Sequence, residues 1–477
     1  MPINIGIKMG VVLTGICCLI SACAATDPQG PFTEVKETVQ KRTGRKIEWP
    51  RTSEAKTKMS QRVNAMLADG LTLDEAIAIG LANNRRIQGI YHQLGVAQAD
   101  LAQSQLLDNP HVGFAYLGSS SNLYKLELEA VINILSLFMI PLRKALAEAQ
   151  LAQAQHRIST VVLTHIYDIK RVYLRVQALQ AQYRLLERVL MSSEAAYEMA
   201  QRMRDAGNIT KLELLSRRSL VDEDRLTLSS ASMELFSARE QLNRLLGLYG
   251  SAVTWEIDAT LPPLPANRPV IEDVEKQAVS ASVDVALTES NLRVAARELG
   301  ITDVTSIIPE LGVGAAFERE ADGMWLGGPA LELQLPIFDP GHAKRSRARA
   351  LLAERWEAFT ATAVDVRSQA REALRRLKVA WEQCHYYETS FLPLRQAMTK
   401  QAQRRYNGMF LSVFELLMIK RMEIRASMGS IDKLKDYWMA QADMDEILAG
   451  KLPDRSGGVT PVSMMTGPGQ GAGRGGH

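Results

Sequence analysis

The chain has 477 residues, and its 56 Lys and Arg against 53 Asp and Glu leave a formal charge of +3. A balance this close to neutral excludes the dominant basic footprint of a nucleic-acid binder, and no uninterrupted apolar run reaches the ~20 residues of a membrane-spanning helix, which excludes a polytopic helical membrane protein. Hydrophobic residues at 46% with aromatics at only 6%, and recurrent Ala, Leu, Gln, Glu and Arg, indicate a folded chain built mainly of long helices.

At the N-terminus Lys8 precedes an apolar stretch from Met9 to Ala22, too short to span a bilayer and of the length of a secretory signal core. It ends Leu19-Ile20-Ser21-Ala22-Cys23, which resembles a bacterial lipobox: a bulky aliphatic residue, then small ones, then a thiol. The resemblance implies that residues 1–22 are a lipoprotein signal peptide and that Cys23 is the lipidation site, carrying diacylglycerol. Ala24, where Asp would retain the protein at the inner membrane, implies the outer membrane. Cys17 and Cys18 leave with the signal, so Cys23 and Cys384 remain and make no internal disulfide framework. Residues 23–70 form an N-terminal periplasmic segment.

From Leu71 the sequence reads Leu-Thr-Leu-Asp-Glu-Ala-Ile-Ala-Ile-Gly-Leu-Ala-Asn-Asn. Thr72 followed by Glu75 has capping-box spacing, and a helical pattern runs to about Leu107, where Asp108-Asn109-Pro110 stops it. A second helical run starts after Pro141 and continues without Pro or Gly to Ala206, a rod of roughly 100 Å at 1.5 Å per residue. Val162, Ile166, Ile169, Tyr173, Val176, Tyr183 and Leu190 follow the spacing of a coiled-coil seam, with Gln180 and Glu187 as polar interruptions. Gly207-Asn208 breaks the rod, and another helix runs from Thr210 to Leu246-Gly247.

A linker at 251–269, rich in proline, separates this first repeat (71–250) from a second (270–450). The same order returns: a helical stretch from Ile271 to about Asp303, then Pro309, then a rod from His342 to about Asn407 interrupted at Pro393. Gly408 breaks it, and a last helix reaches Gly450. Thr210-Lys211-Leu212-Glu213-Leu214-Leu215 aligns with Ser412-Val413-Phe414-Glu415-Leu416-Leu417 at an offset of 202 residues. A period that long is a duplicated folding unit rather than a solenoid. Residues 451–477 are a flexible Gly-rich tail.

Between the helices the period changes. Val112, Phe114 and Tyr116 alternate with Gly113 and Ala115; after the turn signal Gly118 to Asn122, Leu126, Leu128, Ala130 and Ile132 alternate with Lys125, Glu127 and Glu129. In the second repeat Leu311, Val313, Ala315 and Phe317 alternate with Gly312, Gly314 and Glu318. A turn containing Asp322-Gly323 and Gly327-Gly328 follows, and Leu331 to Ile337 alternate again. These are two hairpins, 110–140 and 309–338, with strands long enough to cross a bilayer when tilted and one face apolar. Four strands cannot close a membrane barrel, which starts at about eight, and an open edge in lipid is costly. The strands must therefore come from several chains.

This order of elements resembles the TolC-like outer-membrane efflux channel family. The carriers are the Leu71–Asn84 opening, Leu335-Pro336-Ile337-Phe338-Asp339 with Gly341, Gly207-Asn208-Ile209-Thr210 with Leu214-Leu215, and Arg244-Leu245-Leu246-Gly247. The resemblance covers about residues 71–450. It implies a mostly α fold with a long coiled-coil tunnel and a trimeric, twelve-stranded membrane β-barrel. It also implies that the helix tips at Gly207, Asn208, Thr210, Gly408 and Ser412 dock a periplasmic adaptor attached to an inner-membrane pump. Some relatives constrict the tunnel with carboxylate rings; the corresponding stretch here is Gln401, Gln403, Arg404, Arg405 and Tyr406, so an acidic gate is not expected. Arg85 follows Asn84 where many relatives carry proline.

No metal-ligand pair is expected among the seven histidines, and no HExxH, GxSxG or phosphate-loop motif occurs. The function expected is a passive exit duct for small molecules or ions, not an enzyme, with no cofactor. The alternatives are a periplasmic adaptor lipoprotein, which usually has one helical hairpin, and the outer-membrane channel of a type I secretion system.

Overall fold

The computed structural model describes residues 27–118, 124–320 and 322–453. The signal segment, Cys23, the turn residues Ser119 to Asn122 and residues 454–477 of the tail lie outside the described residues.

The N-terminal segment contains two helices, α1 (Gln29–Thr43) and α2 (Ser53–Ala68), the latter capped by Thr52, which accepts from the Ala55 N–H. The Thr72–Glu75 capping box opens α3 (Leu73–Asn83), and α4 follows at Arg85–Ser104. The single helical run expected to Leu107 is thus broken at Asn84. That residue has extended backbone, ends α3, and accepts from the N–H groups of Arg86 and Ile87 to start α4. Asn is a strong N-cap because its side chain satisfies the orphan donors of the first turn.

Strands β1 (His111–Gly118) and β2 (Tyr124–Asn133) lead into α5 (Ile134–Asp205), 72 residues long, or roughly 110 Å. It begins before Pro141 rather than after it. Asn133 caps it through the Ser136 N–H, and the exposed Pro141, the eighth residue of the helix, lies past the first turn and leaves one gap in the ladder. After the reversal at Gly207, α6 (Lys211–Leu246) ends on Gly247 in the left-handed conformation, and a 3₁₀ turn at Gly250–Val253 leads into the extended proline-rich linker.

The second repeat starts with α7 (Val274–Ala281) and α8 (Val283–Thr305), split at Ser282, which caps α8 through the Val285 N–H. The continuous stretch expected from Ile271 is therefore also two helices. Strands β3 (Leu311–Arg319) and β4 (Trp325–Leu333) follow. Gly327 and Gly328, expected in the turn, lie inside β4. Gly327 faces Phe317, whose ring would lie 2.7 Å from any Cβ there. The second rod comprises α9 (His342–Tyr386), a π-helical turn (Tyr387–Phe391) and α10 (Leu392–Asn407). The expected interruption at Pro393 is that wider turn, which accommodates a residue unable to donate to the helical ladder. The last helix is α11 (Val413–Leu448).

Each repeat has its own core. The first gathers Val162, Ile166, Ile169, Tyr173 and Val176 of the expected seam with Tyr91, Leu242 and Trp255. Trp255 donates from Nε1 to Asn243 Oδ1 at 2.7 Å. Further along α5 the seam opens: Tyr183 and Leu190 are half-buried and Glu187 is exposed. The second core gathers Ala370, Leu377, Cys384, Tyr437 and Ile447. The repeats are stitched where the two cores meet. Lys170 pairs with Asp445 at 2.6 Å, and the Tyr167 hydroxyl donates to the Asp445 carbonyl at 3.1 Å. Arg42 of α1 donates to the carbonyls of Ala281 and Ala449.

Candidate functional site

The four strands form one antiparallel sheet in the order β1-β2-β3-β4. The two expected hairpins are joined by β2–β3 pairing, from Leu126↔Arg319 to Asn133↔Gly312. Register sorts the side chains by face. One row runs Phe114–Leu128–Phe317–Gly327 and another Ile132–Val313–Leu331. Apart from half-buried Leu128, these positions are exposed, with Phe114 at 67% and Leu331 at 71%, and Val112 on the same face is 73% exposed. The opposite face carries Glu129 flanked by Gly113, Ala316 and Gly328, and Glu127 beside Glu318 and Ala115. Lys125 bridges Glu127 at 2.8 Å and Glu318 at 2.6 Å. An apolar face open to the surroundings, backed by a polar face of charges among tiny residues, is the pattern of a lipid-facing strand with a wet interior. Within the described chain, β1 and β4 each pair on one side only.

At the opposite end of the helices are the two tips. The chain leaves α5 through Ala206, with Gly207 left-handed at φ 77° and the Asn208 N–H donating to the Met203 carbonyl at 2.8 Å. It leaves α10 through Gly408, with the Phe410 N–H donating to the Arg405 carbonyl at 2.9 Å. The bond patterns are equivalent at the offset of 202, so the counterpart of Gly207 is Met409, not Gly408. Gly408 has φ −84°, and Met409 takes the left-handed position at φ 61°. Thr210 and Ser412 are the N-caps of α6 and α11, each in a complete capping box with Glu213 and Glu415. The hydrogen bonds from Thr210 and from Ser412 hold those two carboxyls below the usual carboxylate range. The second tip is the more apolar: Met409 is 94% exposed and Phe410 85%.

The residues expected at a tunnel constriction, Gln401, Arg404, Arg405 and Tyr406, lie on the last two turns of α10 and are exposed, whereas Ala402 among them is buried. Gln403 donates from Nε2 to Asn407 Oδ1 at 3.0 Å. Sequence reasoning missed the polar centre nearby. Arg421 of α11 pairs with both oxygens of Asp224 of α6, and Ser193 of α5 donates to the same carboxylate. Its members are 197 and 228 residues apart, and no local period marks them.

Other titratable groups are structural. Cys384 is buried, and burial with the neighbouring Glu388 pushes its thiol up to about 12. His385 turns away from it and stacks on Trp381, ring centroids 4.7 Å apart. Glu446 is buried against Arg171 at 2.5 Å, and burial raises its carboxyl to about 7 although Arg171 pulls the other way. Among the described residues, no group of three or more His, Cys, Asp or Glu could hold a metal ion, and no helix is long and apolar enough to cross a membrane.

Residues 77–248 match the family of outer membrane efflux proteins. The chain is 25% identical over 272 residues to the outer membrane protein OprJ of Pseudomonas aeruginosa; the match takes in 54% of this chain and 52% of that protein, so about half of the curated relative is spanned. The fold is similar to that of the Campylobacter jejuni CmeC outer membrane channel, with a TM-score of 0.67 at 14% identity over 86% of this chain and 90% of that one. It is also similar to the outer membrane protein VceC of Vibrio cholerae, with a TM-score of 0.63 at 14% identity over 84% of this chain and all of that one. The matched segment, the relative and the fold of solved outer membrane channels all point the same way as the resemblance drawn from the sequence.

Proposed function

We propose that the protein is the outer-membrane exit channel of a tripartite efflux system, conducting small molecules or ions passively, without catalysis or cofactor. The observation that carries this reading is the sheet: four strands, apolar on one face, with β1 and β4 each unpaired on one edge. In lipid each unsatisfied backbone group costs several kcal/mol. Three copies, each setting β4 beside β1 of the next, remove every edge and give a twelve-stranded barrel with room for water. Glu127, Glu129, Glu318 and Glu332 then face the lumen. In this reading Cys23 anchors the chain in outer-membrane lipid, and the helices form the periplasmic tunnel. Gly207, Asn208, Thr210, Gly408 and Ser412, with exposed Met409 and Phe410 beside them, meet a periplasmic adaptor and, through it, an inner-membrane pump. Arg404, Arg405, Gln401 and Tyr406 line the narrow end, which carries positive rather than negative charge.

Reconstitution into planar bilayers tests the reading. Discrete conductance steps are expected from the full-length protein; a bilayer that stays silent with well-inserted protein sinks it.

A further inference from the structure

A cavity of about 220 Å³ lies between α5, α6 and α11, near the helix tips. Its wall is mostly apolar, with Val189, Ala196, Leu220, Phe414 and Leu417. It also carries three arginines, Arg217, Arg421 and Arg425, and no carboxylate. Such a combination is unusual for a packing defect, which is lined by apolar groups alone.

The cations are not equivalent. Arg421 is occupied by Asp224. Arg217 and Arg425 form no ion pair among the described residues, and the acids around them are engaged elsewhere. Glu423 is held by Lys420, Glu194 by Arg225, and Glu213 and Glu415 by their capping boxes. Arg217 lies over the Phe414 ring at 4.3 Å, which fixes its guanidinium at the cavity wall, and its Nε is buried with no hydrogen-bond partner. A buried donor left unsatisfied is unfavourable, and an acceptor carried by a ligand removes that penalty.

We infer that this cavity binds a small amphipathic anion: a compact apolar body bearing one carboxylate, sulfonate or phosphate directed at Arg217 and Arg425. The apolar wall takes the body, and the guanidinium groups take the anion in charge-assisted hydrogen bonds. The volume is below the ~300 Å³ at which drug-sized clefts begin, so the ligand is of one- or two-ring size. The inference rests on one chain's cavity and stands whether or not the chain conducts.

Naphthalene-2-sulfonate is a suitable probe, titrated calorimetrically into the full-length protein in lipid nanodiscs, with empty nanodiscs subtracted and 2-naphthalenemethanol as the neutral comparator. The expected result is saturable binding at one site per chain, about tenfold weaker for the neutral compound and about tenfold weaker in an Arg217→Gln/Arg425→Gln variant. Filling the cavity with Ala196→Phe is expected to abolish binding while the helical circular dichroism signal is retained. Heat no different from empty nanodiscs overturns the inference. So does equal affinity for the neutral compound, or affinity unchanged in properly folded Arg217→Gln/Arg425→Gln and Ala196→Phe proteins.

Discussion

Arg421 and Asp224 form a bidentate ion pair that joins the helix following the second tip to the helix following the first, with Arg421 Nη1 2.8 Å from Asp224 Oδ2. Asp224 is 6% exposed and also accepts from Ser193, so three helices meet at one carboxylate. Removing one partner strands the other's charge away from water. Arg421→Ala is expected to destabilise the packing of α11 on α5 and α6 by roughly 3 kcal/mol, within the range for breaking a buried pair. Replacing both residues costs less than the sum of the two single changes. Thermal melts of the four members of that cycle check it; additive losses would show that the pair is not coupled.

The tips differ in one backbone residue. Gly207 and Met409 both sit at positive φ, which costs a side-chain-bearing residue about 1–2 kcal/mol. Met409→Gly should therefore strengthen the second tip by about 1 kcal/mol, and Gly207→Ala should weaken the first by a similar amount. Amide hydrogen exchange at residues 203–212 and 405–414 reads each tip separately. Equal protection in both variants and the parent would refute the assignment of strain to Met409.

Asn84 serves two helices at once. Its Oδ1 caps α4, and its Nδ2 donates to the carbonyl of Leu245 at 2.8 Å, at the end of α6. Asn83 does likewise to Leu246 at 3.0 Å and Gly247 at 2.8 Å. Loss of a cap costs about 1 kcal/mol, and buried carbonyls left unpaired add to it. Asn84→Ala should cost about 2 kcal/mol in denaturant unfolding. Asn84→Asp should retain the cap and lose only the donors, falling between the two.

Glu446 sets a pH dependence. Its carboxyl is raised from 4.5 to about 7 in the folded protein, so between those values the folded state holds a proton that the unfolded state has released. The stability it contributes is fully present below pH 4.5 and is lost as pH rises to about 7, the reverse of a well-paired surface carboxylate. Melting temperature should fall over that window from this residue, and Glu446→Gln should flatten the fall. A parent and variant with parallel profiles would contradict it.

Much of this architecture is legible in the chain because its determinants are local. The capping boxes at Thr72, Thr210 and Ser412 need only four residues each, and alternation over eight or more residues fixes a strand and its faces. What escaped depends on partners far away in sequence. Asn84 breaks a run of good helix formers because its side chain answers carbonyls some 160 residues on. Gly327 belongs to a strand rather than a turn because of the Phe317 ring opposite. Gly408 invites alignment with Gly207, but the hydrogen bonds place Met409 there. The Asp224–Arg421 pair, and with it the cavity beside it, arises only when the two repeats pack together.

The central claim is that β1 and β4 find their missing partners in other copies of the chain. Native mass spectrometry of protein extracted from membranes in mild detergent tests it most directly. The account predicts a species of three times the mass of a single chain, persisting at dilution. A monomer or dimer as the stable species would leave the sheet edges unpaired and contradict it.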